Sequence, residues 1–154
     1  MIKQLTIIGV GLIGGSLARA LKRAGVVAEV VGAGRDVQHL ARARALGVID
    51  RAETDLLAAV KGADVVVVAV PVGAMEGVFR SIAPALAKDT VLTDVGSSKG
   101  SVVEAARKAF AELPSGFVPA HPIAGTEKSG VEASFGELFD DRRVILTPTE
   151  NSSP

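Results

Sequence analysis

The stretch LTIIGVGLIG at residues 5–14 decides the fold of this chain. Its apolar first half predicts a β-strand, and the residues after it have the spacing of a helix. Gly9, Gly11 and Gly14 form the pattern GxGxxG at the junction. A strand, a glycine-rich turn and a helix in this order are typical of the first βαβ unit of a Rossmann-type domain, which binds dinucleotides.

Each glycine of this turn has a separate physical task. Gly9 permits the tight turn, Gly11 lets a diphosphate approach the backbone, and Gly14 lets the helix pack closely on the strand. Leu12 and Ile13 open the helix, where we expect unpaired N–H groups and the helix dipole to face the diphosphate. A glycine-rich turn without a ligand is the alternative interpretation, and the position between a strand and a helix argues against it.

The remainder of the chain alternates short β-branched runs with longer Ala-rich segments of helical spacing. This pattern predicts the α/β class, with a doubly wound, mainly parallel sheet and helices on both faces. The predicted strands are residues 4–8, 29–31, 65–70, 90–94, 117–120 and 144–146. The predicted helices are residues 12–24, 37–46, 55–60, 74–87 and 99–111.

The valine-rich run at residues 65–70 has no polar alternation. We therefore expect a strand that is buried on both faces, near the centre of the sheet. Pro71 ends this strand, and the loop that follows lies at the carboxyl edge, where open parallel sheets bind ligands. Val70 and Pro71 are therefore predicted to contact the cofactor.

The end of the second strand indicates which dinucleotide binds. Domains that prefer NAD usually carry Asp or Glu there, about 20 residues after the glycines, to bind the ribose hydroxyls. Here Gly34 occupies the expected carboxylate position and Arg35 follows it. The missing anion and the added guanidinium favour the 2′-phosphate of NADP, with NAD as the second possibility. Asp36 is interpreted as the cap of the next helix, although it could instead bind the ribose.

Composition excludes several other classes of protein. The chain has 154 residues, 48% of them hydrophobic, with 17 Lys+Arg against 17 Asp+Glu and a formal net charge of +0. The balanced charge and an aromatic content of 3% argue against nucleic acid as a partner. There is no cysteine, and no metal site is predicted. No apolar run reaches the roughly 20 residues of a membrane span and no secretory signal begins the chain, so we expect a cytoplasmic protein without a membrane partner.

A second polar cluster, HPIAGTEKSG at residues 121–130, follows the strand predicted to end at residue 120. Another polar segment, DVGSSKG at residues 94–100, follows the preceding strand. Because the carboxyl ends of parallel strands share one edge of a sheet, His121 is expected to face the nicotinamide and is the candidate catalytic residue. His39 lies in an amphipathic helical stretch and is interpreted as structural.

Three segments of the chain resemble the prephenate/arogenate dehydrogenase family of tyrosine biosynthesis. They are GVGLIGGSLA at residues 9–18, TDVGSSKG at residues 93–100 and HPIAGTEKSG at residues 121–130. The third is far more specific than the glycine pattern, and the resemblance extends over nearly the whole chain. It implies oxidative decarboxylation of prephenate to 4-hydroxyphenylpyruvate, or of arogenate to tyrosine, with hydride transfer to NAD(P)⁺.

The resemblance also implies roles for particular residues. His121 would accept the proton of the substrate's ring hydroxyl, and Ser97 would orient His121 and the nicotinamide carboxamide. Ser97 could also cap the helix that follows it. Lys99 would attract a substrate carboxylate, although an exposed lysine there could be inert. Three neighbours of His121 would line or gate the substrate pocket, unless their charges are simply solvated: Thr126, Glu127 and Lys128.

The same resemblance predicts the domain organisation. Residues 1–148 form the dinucleotide-binding domain, and residues 149–154 begin a linker to a helical second domain outside this chain. In the family that domain builds the homodimer, closes the cleft and supplies an arginine for the ring carboxylate of the substrate. Two other functions stay open on the residues alone: a non-catalytic dinucleotide-sensing module, and another NADP-dependent reductase or dehydrogenase.

Overall fold

A computed structural model of the chain describes residues 1–96, 98–122, 130–140 and 142–152. Its strands are β1 (Ile2–Ile8), β2 (Val27–Ala33), β3 (Arg51–Glu53), β4 (Val65–Val68), β5 (Val91–Asp94), β6 (Ala120–Pro122) and β7 (Val144–Leu146). Its α-helices are α1 (Leu12–Arg23), α2 (Val37–Ala45), α3 (Leu56–Val60), α4 (Val72–Ile82) and α5 (Lys99–Ala109). Short 3₁₀ helices span Ala83–Ala85 and Val131–Ala133.

The main sheet is parallel, and within the described residues it has the strand order β3-β2-β1-β4-β5. From β1 the chain builds outward through β2 to β3, and it then crosses back to place β4 and β5 on the other side of β1. This reversal of direction is the topological switch of a doubly wound sheet, and it opens a crevice at the carboxyl ends of β1 and β4. The predicted Rossmann-type α/β class is confirmed.

Apolar side chains fill both faces of this sheet. On one face α4 and α5 cover β4 and β5, and the rings of Phe79 and Phe117 meet edge to face with centroids 5.8 Å apart. On the other face α1 and α2 cover β1 and β2, with Leu40 of α2 packed among Leu5 and Val30. Helices on both faces explain why the strands read as continuous apolar runs rather than alternating ones.

The valine-rich run forms β4, which lies between the central strand β1 and β5. Val66, Val67 and Val68 are at most 2% exposed, so the prediction of a strand buried on both faces is confirmed. The strand ends at Val68, two residues earlier than predicted. Ala69 and Val70 therefore belong to the loop that leads to Pro71 and α4.

Helix positions follow the sequence prediction closely, with differences at the ends. Helix α4 begins at Val72, directly after Pro71, rather than at residue 74. Proline is favoured just before or within the first helical turn, because an N–H is not needed there. Among the described residues, no helix is both long and apolar enough to cross a membrane.

Strand β3 was not predicted from the sequence. It consists of Arg51, Ala52 and Glu53, and it pairs with β2 at the edge of the sheet. Arg51 lies within 3.5 Å of Glu29 on β2 and within 4.0 Å of Glu53 on its own strand. Charged side chains at a half-exposed edge give no alternating apolar pattern, so the strand is recognised only by its pairing.

The strand predicted at residues 117–120 is wrong in its extent. The Leu92 N–H of β5 donates to the Gly116 carbonyl, and the Leu92 carbonyl accepts the Val118 N–H. These two bonds form a single parallel bridge between Leu92 and Phe117. Pro119 follows and has no N–H to continue the ladder. The chain instead forms β6, which pairs antiparallel with β7 in a separate sheet. His121 therefore lies within a strand and not in a loop after one.

Residues 149–152 fold back onto the domain. Thr149 and Ser152 are joined by a turn, and the Ser152 hydroxyl donates to the Phe117 carbonyl at 2.7 Å. Asn151 donates from its amide to the Leu113 carbonyl at 3.2 Å. The segment predicted to begin a linker thus starts as a packed turn.

Candidate active site

The glycine-rich turn lies at the carboxyl end of β1, beside the loop that follows β4. Gly9 has a φ of +95°, and a Cβ there would lie 2.7 Å from the Ala69 carbonyl oxygen. A Cβ on Gly14 would lie 2.4 Å from the Gly9 carbonyl oxygen and 2.9 Å from Ile7. Both positions therefore require glycine for reasons internal to the fold, as predicted for the turn and for the helix packing.

Gly11 differs from the other two glycines, because a Cβ on it would meet no atom within 4 Å. The first bond of α1 runs from the Gly15 N–H to the Gly11 carbonyl at 2.9 Å. The N–H groups of Leu12 and Ile13 lie ahead of that bond and have no acceptor within the helix. Open space beside Gly11, together with N–H groups that have no acceptor within the helix, fits the diphosphate of a dinucleotide.

A cleft of about 580 Å³ runs from this turn across the carboxyl edge of the sheet. Its walls come from the loops after β1, β2, β3 and β4 and from one face of α4. Five of the residues predicted to bind the cofactor line it: Gly9, Gly34, Arg35, Val70 and Pro71. Thr54 and Ser81, which the sequence did not indicate, line it as well.

Asp36 serves as the cap of α2. Its carboxylate accepts the backbone N–H groups of Gln38 at 3.0 Å and His39 at 3.1 Å. This is the capping role predicted from the sequence, and it directs the carboxylate toward the helix start. Arg35 is exposed at the cleft wall, while a Cβ on Gly34 would meet only Leu40, at 3.9 Å.

His39 connects α2 to the glycine-rich turn. Its Nε2 lies 2.6 Å from the Val10 carbonyl oxygen. A carbonyl oxygen only accepts, so this ring nitrogen carries a proton and donates it. The structural role predicted for His39 is therefore a hydrogen bond to the glycine-rich turn.

A second polar cluster lies at the carboxyl end of β5. Asp94, the last residue of β5, is fully buried, and its carboxylate accepts the N–H of Gly96 at 2.7 Å and of Ala120 at 3.2 Å. Lys99 donates from Nζ to the same carboxylate and to the Ala120 carbonyl oxygen at 2.7 Å. These contacts connect the loop after β5 with strand β6.

His121 follows Ala120 in β6 and is half-buried. Because β5 runs parallel to β1 and β4, the Asp94 end of β5 lies at the same edge of the sheet as the glycine-rich turn. His121 and the cofactor cleft therefore share one edge of the domain. Four predicted site residues lie outside the described residues: Ser97, Thr126, Glu127 and Lys128.

Comparison with known proteins identifies the family of this chain. The family described as "Prephenate dehydrogenase, nucleotide-binding domain" matches residues 17–154. The chain belongs to this family. It is 45% identical over 149 residues to the cyclohexadienyl dehydrogenase of Zymomonas mobilis, a match that covers 95% of the chain and 49% of that protein.

Solved structures of the family share the fold. The prephenate dehydrogenase of Aquifex aeolicus, crystallised with hydroxyphenyl propionate and NAD⁺, superposes with a TM-score of 0.89 at 35% identity and covers 99% of this chain and 53% of its own. The arogenate dehydrogenase of Synechocystis gives a TM-score of 0.88 at 31% identity, over 98% of this chain and 52% of its own. The chain thus spans about half the length of these relatives.

Asp94 is a further residue of the candidate site that was not predicted from the sequence. It stands inside the segment TDVGSSKG, and a carboxylate at the end of an apolar strand, five residues before a lysine, was the available indication. The family resemblance implied that Lys99 attracts a substrate carboxylate instead. In the structure the Lys99 ammonium is bonded to Asp94 and Ala120.

Proposed function

We propose that this chain is the dinucleotide-binding part of an enzyme that oxidatively decarboxylates prephenate or arogenate, with hydride transfer to NADP⁺. The observation that carries the proposal is the position of His121 at the sheet edge that also bears the glycine-rich turn. In a non-catalytic sensing module, no histidine would be needed at that place. Membership of the family supports the same substrate class.

The chain's own residues divide the work of this reaction. The GxGxxG turn binds the diphosphate, and the dinucleotide, when bound, supplies the hydride acceptor. An imidazole nitrogen of His121 accepts the proton of the substrate's ring hydroxyl. At the same time the ring carbon that bears this hydroxyl loses hydride and becomes a carbonyl carbon. Carbon dioxide then departs, and the electron pair of the broken C–C bond moves through the ring to the carbonyl oxygen. The ring becomes aromatic, and this oxygen takes back the proton that His121 had accepted.

Three features of the cleft support a preference for NADP. Gly34 presents no carboxylate to a ribose, and Arg35 places a guanidinium at the cleft wall. The Asp36 carboxylate accepts hydrogen bonds from two N–H groups at the start of α2, and these bonds offset part of the negative charge that would repel a 2′-phosphate. Guanidinium–phosphate contacts are charge-assisted and can be bidentate.

Four residues keep their proposed roles on the strength of the family resemblance. Ser97 orients His121 and the nicotinamide carboxamide, and three residues after His121 line the substrate pocket: Thr126, Glu127 and Lys128. We also propose that the remaining half present in the relatives completes the substrate site and forms the dimer.

A fusion protein tests the proposal directly. The chain is joined to the part of the Zymomonas mobilis cyclohexadienyl dehydrogenase that it does not match, and the fusion is supplied with prephenate or arogenate and either NADP⁺ or NAD⁺. We expect reduced cofactor to form with at least one substrate. The 154-residue chain alone should bind dinucleotide and turn over little.

The intact Zymomonas mobilis enzyme, assayed in parallel, is the positive control for substrate and conditions. Dinucleotide titration of the fusion shows that its nucleotide-binding half is folded. A fusion that binds dinucleotide but turns over neither substrate would contradict the proposed reaction and favour a sensing role.

A further inference from the structure

Ala120, the residue directly before His121, has both of its backbone groups bonded to one buried ion pair. Its N–H donates to Asp94 Oδ1 at 3.2 Å, and its carbonyl accepts from Lys99 Nζ at 2.7 Å. Asp94 and Lys99 are bonded to each other as well. Both side chains come from the β5 end of the main sheet, 21 to 26 residues earlier in the chain.

This arrangement replaces a missing strand contact. Within the described residues, β6 pairs with β7 alone, and Ala120 lies opposite Leu146 on that side. On its other side a neighbouring strand would normally offer a carbonyl and an N–H. Here a carboxylate oxygen takes the place of that carbonyl, and an ammonium takes the place of that N–H.

We propose that Asp94 and Lys99 are positioning residues that hold His121 and the loop after β5 in the arrangement needed for proton transfer. The proposal rests on the function proposed above, in which His121 accepts a proton. It assigns Lys99 to the backbone of β6, not to a substrate carboxylate.

The Asp94 carboxylate connects the chain that follows β5 with strand β6. One of its oxygens, Oδ2, accepts the Gly96 N–H and the Lys99 ammonium, while Oδ1 accepts the Ala120 N–H. Gly96 itself is tightly surrounded, since a Cβ there would lie 3.1 Å from Oδ2 and 3.0 Å from Val102. The Gly96 backbone and the backbone before His121 are thus attached to the same carboxylate.

Because this pair is largely buried, Lys99 cannot readily leave Asp94 to bind a substrate. The Asp94 side chain is 0% exposed and that of Lys99 is 16% exposed. Removing one member leaves the other charge buried without compensation, which is strongly unfavourable. If a substrate carboxylate drew Lys99 away, the charge of Asp94 would be left buried without its cationic partner.

The test compares four single variants: Lys99→Met, Lys99→Arg, Asp94→Asn and, as a control on the same helix, Lys108→Met. Lys108 forms an exposed i,i+4 pair with Glu104, so its loss removes the same charge without touching β6. Kinetics are measured in the fusion protein. Backbone and imidazole NMR signals are measured in the 154-residue chain, where only two histidines contribute and a His39→Gln variant identifies His121.

For Lys99→Met we expect kcat to fall about 10- to 100-fold, the size of effect that small misplacement of a catalytic group produces. KM and dinucleotide affinity should stay within about twofold of their values in the unchanged protein, because the substitution removes no contact to bound substrate or dinucleotide. The amide signals of Ala120 and His121 should shift. Asp94→Asn should shift the same signals, Lys99→Arg should recover part of the activity, and Lys108→Met should match the unchanged chain.

The opposite pattern would overturn the proposal: a raised KM with unchanged kcat in Lys99→Met, and His121 signals that do not move. That result would mean that Lys99 contacts substrate. If Lys99→Met or Asp94→Asn does not fold, judged by lost dinucleotide binding, Lys99→Arg, which keeps the charge next to Asp94, still decides the question through its kcat, its KM and its His121 signals. If the unchanged fusion turns over neither substrate, the proposed function fails, while the NMR shifts still report whether the pair positions His121.

Discussion

His39 Nε2 lies 2.6 Å from the carbonyl oxygen of Val10, 29 residues earlier in the chain. That carbonyl belongs to the peptide unit whose N–H is carried by Gly11, so the contact fixes the direction of the Gly11 N–H as well. A histidine outside the cleft lining thereby shapes the turn that is predicted to bind the diphosphate. The contact also ties α2, next to Arg35 and Asp36, to the start of α1.

Replacement of His39 by phenylalanine should weaken dinucleotide binding about 2- to 10-fold, the value of one net hydrogen bond. Phenylalanine keeps a flat ring but has no donor for Val10. Isothermal titration of the 154-residue chain with NADP⁺ measures the change. His39→Gln, whose amide can still donate, is the matched control and should retain more affinity; equal affinities for all three proteins would show that the contact does not matter for binding.

Gly11 and Gly14 should respond differently to the same substitution. Gly14→Ala places a methyl group 2.4 Å from the Gly9 carbonyl oxygen, so we expect about 1–3 kcal/mol of lost stability from overpacking. Gly11→Ala meets no atom within 4 Å, so the free energy of unfolding should hardly change. The Gly11 methyl group should nevertheless obstruct the diphosphate and lower dinucleotide affinity by at least about tenfold.

Urea denaturation and dinucleotide titration of the two variants separate these effects. Each variant serves as the control for the other, because the chemical change is identical. If Gly11→Ala binds dinucleotide normally, the diphosphate does not approach the backbone at that position.

The parts of the fold that sequence could predict are those determined by local pattern. The buried strand β4 follows from a run of valines, and the turn after β1 follows from glycines whose roles depend on a strand and a helix close in sequence. By contrast, β3 has three residues of mixed polarity, and its identity as a strand depends on pairing with β2. A pairing partner 20 residues away leaves no periodic signal in a segment so short.

The candidate site shows the same division. Arg35 could be placed at the cleft because its distance from the glycines along a βαβ unit is characteristic. The bonds from Asp94 and Lys99 to Ala120 could not be predicted, because they depend on where β6 departs from the main sheet after Pro119. The family resemblance implied a substrate carboxylate as the partner of Lys99, whereas in the structure its ammonium is bonded to Asp94 and Ala120.

Asp64 should make stability depend on pH in acid. Its carboxylate accepts the N–H groups of Gln4 at 3.1 Å and Lys3 at 2.8 Å, and these bonds hold its pKa below the ordinary value of 3.8. A pKa lowered by folding means that the stabilisation is complete above 3.8 and is lost as the pH falls through the lower folded value. Asp64→Asn should therefore lower Tm at neutral pH, with a difference that disappears in strong acid.

Thermal melts of the two proteins across that range measure the effect, which should be small because the carboxylate is exposed to solvent. Asp89→Asn removes another exposed carboxylate, between α4 and β5, and is the control for net charge. A Tm difference for Asp64→Asn that stays constant as the pH falls would exclude the ionised carboxylate as its cause.

His121→Ala should reduce kcat of the fusion protein about 10²- to 10⁴-fold, the range expected for loss of a general base. Dinucleotide affinity should stay within about twofold, because His121 is not among the residues that line the cofactor cleft. Steady-state kinetics and titration of the same preparation provide both values. Turnover close to that of the unchanged fusion would refute the assignment of His121 as the proton acceptor.

Arg35 should determine the choice between NADP⁺ and NAD⁺. The guanidinium stands at the cleft wall beside Gly34, which has no carboxylate to offer a ribose hydroxyl. A charge-assisted bond to the 2′-phosphate contributes roughly 1.5–3 kcal/mol, so we expect NADP⁺ to bind about 10- to 100-fold more tightly than NAD⁺. In Arg35→Ala that difference should vanish or reverse, with NAD⁺ affinity nearly unchanged.

Titrations with both dinucleotides at a single salt concentration give the two affinities, since phosphate contacts weaken as salt rises. Arg44→Ala removes the same charge from the far end of α2 and should leave the preference intact. Asp36 is the residue that could oppose this result, because a carboxylate released from the α2 cap would repel the 2′-phosphate and bind a ribose hydroxyl instead. Tighter binding of NAD⁺ by the unchanged chain would mean that Asp36, and not Arg35, sets the specificity.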